Sequence, residues 1–529
     1  MAEKLTNEQQ AAVDSRERSL LVSAAAGSGK TKVLVERLFS YVEREGANLD
    51  DFLIITYTRA AASELRGKIA KALTERMERD PGNYHLRQQM LRVYRADIKT
   101  VDAFCTALLR ENCHLLGEDA RGHALRPDFR VLDENEAQVL RERVLARTLD
   151  DFYDCLTPGG TLLADTLGAG RDDSALEDLV LELHAKLQAQ PYEDKWLEAQ
   201  RAFWRAVPDK IEDTPYGKIL LNEVRRKARH CKNLLQRAAQ EMCANDALNQ
   251  KYAPAFLDAS YQLEALEGKT AEGWDAARGV TIVFPRLAAV KDSDGGEMKA
   301  RMKSLWDNCK ETVKGFAEIF SASSDEAVED LRTMAPAMLA LIDLTADFSR
   351  RYNEEKRRRN SADFSDQEHE AIRLLIGEDG APTELARIVS ARYREIMVDE
   401  YQDTNEVQNR IFDAISCKGE NLFTVGDVKQ SIYRFRLADP RIFLQHYNTW
   451  PPLEDAQEHD SAKLLLSRNF RSRKEVLDAT NFIFCNILSE EMGELDYGAD
   501  EILRLGANYV ESSACGAEFH LSLIHISEP

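Results

Sequence analysis

Ser23-Ala24-Ala25-Ala26-Gly27-Ser28-Gly29-Lys30-Thr31 lies between a short apolar segment, Leu20-Leu21-Val22, and a helical pattern over Lys32–Val42. A turn of small residues between strand and helix lets successive backbone N–H groups face one anion, and the helix N-terminus adds its dipole. The stretch departs from G-x-x-x-x-G-K-[ST] only at Ala24, where the first glycine is usual. In that pattern Ala24, Ala25, Ala26, Gly27, Ser28 and Gly29 cradle the phosphates of a nucleoside triphosphate, ATP in the simplest case. Lys30 reaches the β- and γ-phosphates, and Thr31 supplies a hydroxyl to Mg²⁺. The bland alternative is a Gly-rich strand-to-helix turn with a chance lysine.

Downstream, strand and helix continue to alternate. Phe52-Leu53-Ile54-Ile55-Thr56-Tyr57 reads as a second strand, followed by an Ala-rich helical stretch over Ala60–Leu73, and Ile98-Lys99-Thr100-Val101 as a third strand ahead of another helix. Such alternation predicts an α/β fold with a parallel, doubly wound sheet. From about Asp133 to Leu375 the pattern changes to long charged helices, among them Asn135–Phe152, Gly217–Cys243 and Asp325–Glu355, which predicts a large helical insertion. Strands resume at Tyr393–Val398 and Asn421–Val425, so the first domain is expected to be discontinuous. Lys463-Leu464-Leu465-Leu466-Ser467 is expected to open a second α/β domain. The expected division is 1–130 and 381–455 for the first domain, 131–380 for the insertion and 456–520 for the start of the second.

Ile396-Met397-Val398-Asp399-Glu400 is an apolar strand ending in two carboxylates, where the carboxyl edge of a parallel sheet forms its ligand crevice. Asp399 would hold Mg²⁺, and Glu400 would orient and deprotonate an attacking water. A strand ending in Asp-Glu is common and by itself equally suits a solvated loop; beside Lys30-Thr31 it completes a hydrolytic site.

A net charge of −21 disfavours a protein whose whole surface is basic, although a motor sliding on nucleic acid needs only a local basic and aromatic groove. Two basic runs, Arg225–His230 and Lys356–Arg359, are candidates for duplex contact, against the usual reading of solvated helix faces. The nine cysteines are scattered without C-x-x-C or metal spacing and read as buried reduced thiols. No apolar run approaches the ~20 residues of a membrane span, which predicts a soluble, cytoplasmic protein with no membrane partner.

Asp399-Glu400-Tyr401-Gln402-Asp403-Thr404, followed by Val425-Gly426-Asp427-Val428-Lys429-Gln430-Ser431-Ile432-Tyr433-Arg434-Phe435-Arg436, closely resembles motifs II and III of the UvrD/Rep group of superfamily 1 DNA helicases. Within that group, Lys429, the segment Ala362–Asp366 and Leu495-Asp496-Tyr497-Gly498 look most like the AddA branch, the helicase/nuclease proteins of bacterial double-strand-break repair. The resemblance runs from about Leu5 to Tyr509. It implies a RecA-like P-loop NTPase fold and ATP-driven 3′-to-5′ movement on single- and double-stranded DNA, with an AddB-type partner subunit.

Residue by residue, the resemblance implies that Gln430 senses the γ-phosphate while Tyr433, Phe435 and Arg436 touch single-stranded DNA. Thr56-Tyr57-Thr58-Arg59-Ala60-Ala61 resembles motif Ia, which puts Tyr57 and Thr58 on the DNA track. Thr100–Phe104 resembles motif Ib, with Asp102 where many relatives have histidine. Asn469-Phe470-Arg471-Ser472 resembles motif IV, whose arginine, here Arg471, reaches the γ-phosphate. Leu5-Thr6-Asn7-Glu8-Gln9 resembles the Q motif, with Gln9 on the adenine edge; Thr6 and Gln9 also have the spacing of a helix capping box. The buried-core alternative for Tyr433 and Phe435 stays open.

Beyond Tyr509 no counterpart of motifs V and VI is recognised, nor of the nuclease domain that AddA carries. The chain is therefore expected to be the N-terminal portion of a longer protein, with 521–529 a non-native tail. Three functions stay open: the helicase component of a helicase–nuclease complex, a stand-alone UvrD-type repair helicase, and a fragment that binds ATP and DNA without efficient turnover.

Overall fold

The computed structural model describes residues 5–118, 121–167, 174–416, 419–434, 437–507 and 509. Phe435, Arg436 and the tail at 521–529 lie outside them.

Two compact units divide the chain: Met1–Ala146, His184–Glu193 and Ser349–Pro529 form one, and Arg147–Leu183 with Asp194–Phe348 the other. The first is built on six parallel strands, β1 (Leu20–Ala24), β2 (Phe52–Thr56), β3 (Asp97–Thr100), β4 (Glu395–Val398), β5 (Leu422–Gly426) and β6 (Ala462–Leu466), in the order β3-β2-β4-β5-β1-β6. Strands β1, β2, β4 and β5 are buried at every position, as expected of a parallel sheet covered on both faces. Its helices include α1 (Asn7–Asp14), α2 (Lys30–Glu45), α3 (Arg59–Arg79) and α4 (Val101–Asn112).

One expectation is corrected. The strand predicted to open a second domain is β6, the sixth strand of the first sheet, paired in parallel with β1 from Leu20↔Ala462 to Ala24↔Leu466. Its burial alternates, with Ala462, Leu464 and Leu466 inward, as on an edge strand with one face open. Only after it does a separate two-stranded ribbon begin, β7 (Arg468–Asn469) with β8 (Arg504–Leu505).

A buried ion pair ties α2 to β4 at the end of the sheet away from the strand C-termini. Arg37 is 0% and Glu395 2% exposed. The guanidinium meets the carboxylate through two N–H donors, Tyr41 Oη adds a third donor at 3.0 Å, and Arg37 lies 4.5 Å over the Phe423 ring. Bidentate geometry with every donor used is what allows such a pair to survive burial.

The second unit is helical throughout its described residues, as predicted for the insertion. Helices α5 (Pro215–Met242), α6 (Ala253–Lys269) and α7 (Asp292–Ile319) enclose a core containing Val224, Leu235, Leu263 and the stacked rings of Phe256 and Trp306, 4.7 Å apart. The thiols of Cys105, Cys113, Cys231 and Cys309 are buried, whereas Cys155, Cys243 and Cys485 are exposed, against the expectation of uniform burial. No helix among the described residues is long and apolar enough to cross a membrane.

Candidate functional site

The turn after β1 places the N-terminus of α2 over the carboxyl edge of the sheet. Gly27 and Gly29 have φ of +69° and +87°, a region costly for residues with a Cβ, and Gly29 caps α2 without any side-chain acceptor. The first N–H groups of the helix thus have no side chain competing for them. Ser28 is buried, and its hydroxyl has no hydrogen-bond partner.

Strand β5 separates β1 from β4, which sets the turn and the Asp399–Glu400 pair about 10 Å apart at the backbone. Side chains close that gap. Lys30 Nζ donates to Glu400 Oε2 at 3.0 Å, and Gln402 Nε2 donates to the same oxygen at 2.9 Å. Glu400 takes a left-handed conformation, φ +52°, a strained backbone of the kind found where neighbours over-determine a side chain. Burial first, then the Glu400 charge, pushes Asp399 up to about 6, with Lys30 pulling the other way; the same two causes push Asp403 up to about 6. Asp403 Oδ1 is buried without a hydrogen-bond partner. The site therefore concentrates negative charge beside orphaned polar atoms.

Gln430 stands beside this cluster at the carboxyl end of β5, its amide donating to Asp427 Oδ2 at 2.7 Å. Arg471 approaches from the other side. Phe470 N–H donates to Gly27 O at 2.9 Å, Asn469 Nδ2 to Ala26 O at 2.7 Å, and the Arg471 and Ser472 N–H groups to Asn469 Oδ1 at 2.8 and 2.7 Å. The Arg471 guanidinium has no carboxylate partner among the described residues. The phosphate turn, Asp399, Glu400, Gln430 and Arg471 are thus brought to one edge of the sheet.

For Gln9 both sequence readings describe real features. Its side chain accepts from Thr6 N–H at 3.0 Å, completing the capping box of α1, and donates to Ser28 O at 2.9 Å. It also lines a small cavity with Ser28, Ser467 and Phe470.

The DNA-track candidates divide. Tyr57 is half-buried, its hydroxyl bonded to Thr404 and its ring partly packed on the core. Thr58 caps α3, its hydroxyl accepting from Ala61 N–H at 3.0 Å. Tyr433 is half-buried, which leaves its ring short of a core position. Burial pushes Asp102 up, opposed by Arg59, so this position suits a neutral group.

Both basic runs are spent internally. Arg226 and Lys227 pair with Glu223, Arg229 with Glu267, and Arg225 bonds Thr270. Lys356 is buried between Asp363 and Asp366, Arg357 pairs with Glu370, and Arg358 and Arg359 share Glu355. The solvated-face reading holds for the first run, and the second is part of a folded ion network.

Sequence reasoning assigned no role to Gln402, Asp427 or Asn469, which organise the site. Gln402 is 2% exposed and joins Glu400 to the Asp427 N–H, donated to its Oε1 at 3.0 Å. All three stood inside the quoted motifs, but nothing local shows that Gln402 reaches a turn 25 residues away.

The profile of the UvrD/REP helicase N-terminal domain matches residues 5–451. Curated relatives carrying the name of the A component of an ATP-dependent helicase/nuclease include those of Ruminiclostridium cellulolyticum, 35% identical over 99% of this chain and 43% of the relative, and of Acetivibrio thermocellus, 36% identical over the same shares. A third, from Alkaliphilus oremlandii, is 36% identical over 95% of this chain and 41% of its own length. The chain spans less than half the length of these relatives.

Proposed function

The chain belongs to the UvrD/Rep helicase family, and from that premise we propose that it carries the nucleotide-hydrolysing site of an ATP-dependent, 3′-to-5′ DNA helicase of the AddA, helicase/nuclease kind. The observation that carries the reading is the meeting of Lys30 and Glu400 beside the N-terminus of α2. In the proposed reaction Lys30 turns from Glu400 to the β/γ-phosphates, which frees Glu400 to take a proton from the attacking water. Gln402, held by Asp427, keeps the Glu400 carboxylate oriented. Arg471 and Gln430 meet the charge that develops on the γ-phosphoryl group.

Mg²⁺ suits the residues present: Asp399 and Asp403 are pushed up by crowded negative charge, and Ser28 Oγ and Asp403 Oδ1 lack partners. Thr31 and Asp399 would hold it, with phosphate oxygens and water completing a six-coordinate shell. Bound there, it would neutralise phosphate charge as transfer proceeds.

The DNA track would include Tyr57, Thr58 and Tyr433, with Phe435 and Arg436 proposed from the motif alone. Residues 468–507 would begin the second RecA-like lobe. We place the parent activity in double-strand-break repair, with an AddB-type partner and single- and double-stranded DNA as substrates, on the names of the relatives. A DNA-stimulated ATPase assay tests the reading. Turnover well above a Lys30→Ala control supports it; nucleotide binding without turnover favours a fragment that binds but does not cycle.

A further inference from the structure

Asp427, Lys429 and Glu501 form a secluded ion cluster that joins the turn carrying Gln430 to the block carrying Arg471. Asp427, at the end of β5, is 1% exposed and accepts from Gln430 Nε2 at 2.7 Å, from Lys429 N–H at 3.2 Å and from Lys429 Nζ at 2.9 Å. Lys429 Nζ pairs in turn with Glu501, which is 5% exposed and whose other oxygen accepts from Tyr447 Oη at 2.7 Å.

Glu501 belongs to the Arg471 block. It precedes β8 in a turn fixed to α8 (Lys474–Ile487), where Asn481 accepts from Leu503 N–H and donates to Leu503 O, both at 3.0 Å. Strand β8 pairs with β7 at Leu505↔Asn469, and Gly506 N–H donates to Asn469 O at 2.8 Å. The block is therefore held at two points: Asn469 on the phosphate turn and Glu501 on Lys429.

A lysine taken out of water between two carboxylates repays its desolvation only with its partners in place. Burial alone would lower its pKa, but Asp427 and Glu501 raise it above the ordinary lysine value, so it stays cationic. Asp427 is reached without leaving the turn; the bond to Glu501 is what crosses to another segment.

We infer that Lys429 is a positioning residue, which through Glu501 sets the separation of Gln430 and Arg471 and so governs discrimination of a nucleoside triphosphate from a diphosphate. The inference rests on the nucleotide-site reading above. With the Glu501 tether broken, the Arg471 block stays docked through Asn469 but loses its registration with Gln430. Recognition of the γ-phosphate then suffers, whereas groups that hold the α- and β-phosphates are untouched.

The test is equilibrium binding of Mg·ADP and a non-hydrolysable Mg·ATP analogue to the full chain and its E501A, E501Q and K429M variants. Wild type is expected to favour the triphosphate. E501A should lower that preference at least five-fold while ADP affinity stays within two-fold, and E501Q, which keeps a hydrogen bond without the charge, should fall between. K429M strands two buried carboxylates, so E501A and E501Q, which remove a charge, carry the decision. An unchanged preference in E501A, or equal losses for both nucleotides, overturns the inference and leaves the nucleotide site standing. A wild-type chain that binds neither nucleotide removes the site reading and the inference with it.

Discussion

Lys30 Nζ and Glu400 Oε2 are 3.0 Å apart although 370 positions separate them in sequence, so the proposed phosphate ligand and the proposed base neutralise each other. The pair is an internal stand-in: each group holds the other until phosphate draws the lysine away.

Replacing Glu400 by Gln should leave nucleotide affinity within a few-fold of wild type and reduce turnover by about 10²–10⁴, the usual contribution of a positioned base. Single-turnover ATP hydrolysis read against nucleotide binding measures both. Hydrolysis persisting at the wild-type rate would assign the base elsewhere.

Asp399 titrates near 6, above its ordinary 3.8, so its ionisation opposes folding. The sign follows from linkage: a carboxyl raised in the native state costs nothing below about pH 4, where it is protonated folded or unfolded, and costs most above 6. Asp399→Asn should therefore stabilise the ligand-free chain at pH 8 by roughly 1–3 kcal/mol, with little change at pH 4. The same substitution should abolish Mg²⁺-dependent tightening of nucleotide binding. Melting temperatures across that pH range, with and without Mg·ADP, check both.

A Cβ at Gly27 would lie 2.8 Å from Asn469 Nδ2 and 3.0 Å from the Arg471 Cβ, at φ +69°. Gly27→Ala should then cost about 1–3 kcal/mol of stability and loosen Asn469 from the phosphate turn. Faster amide exchange at Phe470 and Arg471 would report the loosening; unchanged exchange would count against this close approach.

Tyr57→Phe removes the bond to Thr404 but keeps a stacking face, whereas Tyr57→Ala removes both. If the ring lines the DNA track, Ala should weaken single-stranded DNA binding by about 1–3 kcal/mol and Phe should hardly change it. Equal losses in both variants would return Tyr57 to a structural role.

The internal pairing of the α5 run predicts that Arg225→Ala with Arg226→Ala changes duplex affinity less than two-fold in a filter-binding titration. A ten-fold loss would restore the DNA role.

What was legible in the sequence was local. The phosphate turn, the apolar strands β2, β4 and β5 and the long helices announce themselves because 2- and 3.6-residue periodicities and glycine placement are read within one element. Strand pairing is not local: Lys463–Leu466 reads alike whether it joins the first sheet or a second, and only packing of Leu464 and Leu466 beside β1 settles it. The Gln402 and Glu501 contacts escaped for the same reason, since each depends on where a distant turn comes to rest. The basic runs misled because their neutralising carboxylates, Glu267 and Glu370 among them, lie on other helices or other turns.

The Arg37–Glu395 pair bears on how such a chain can change over generations. Losing either partner alone would strand a buried charge at a cost of about 3–5 kcal/mol, while exchanging both for apolar groups of similar size can be nearly neutral. Drift at positions 37 and 395 is thus confined to paired steps. The spacing between the helix that begins at Lys30 and the strand that ends at Val398 is inherited as a single trait.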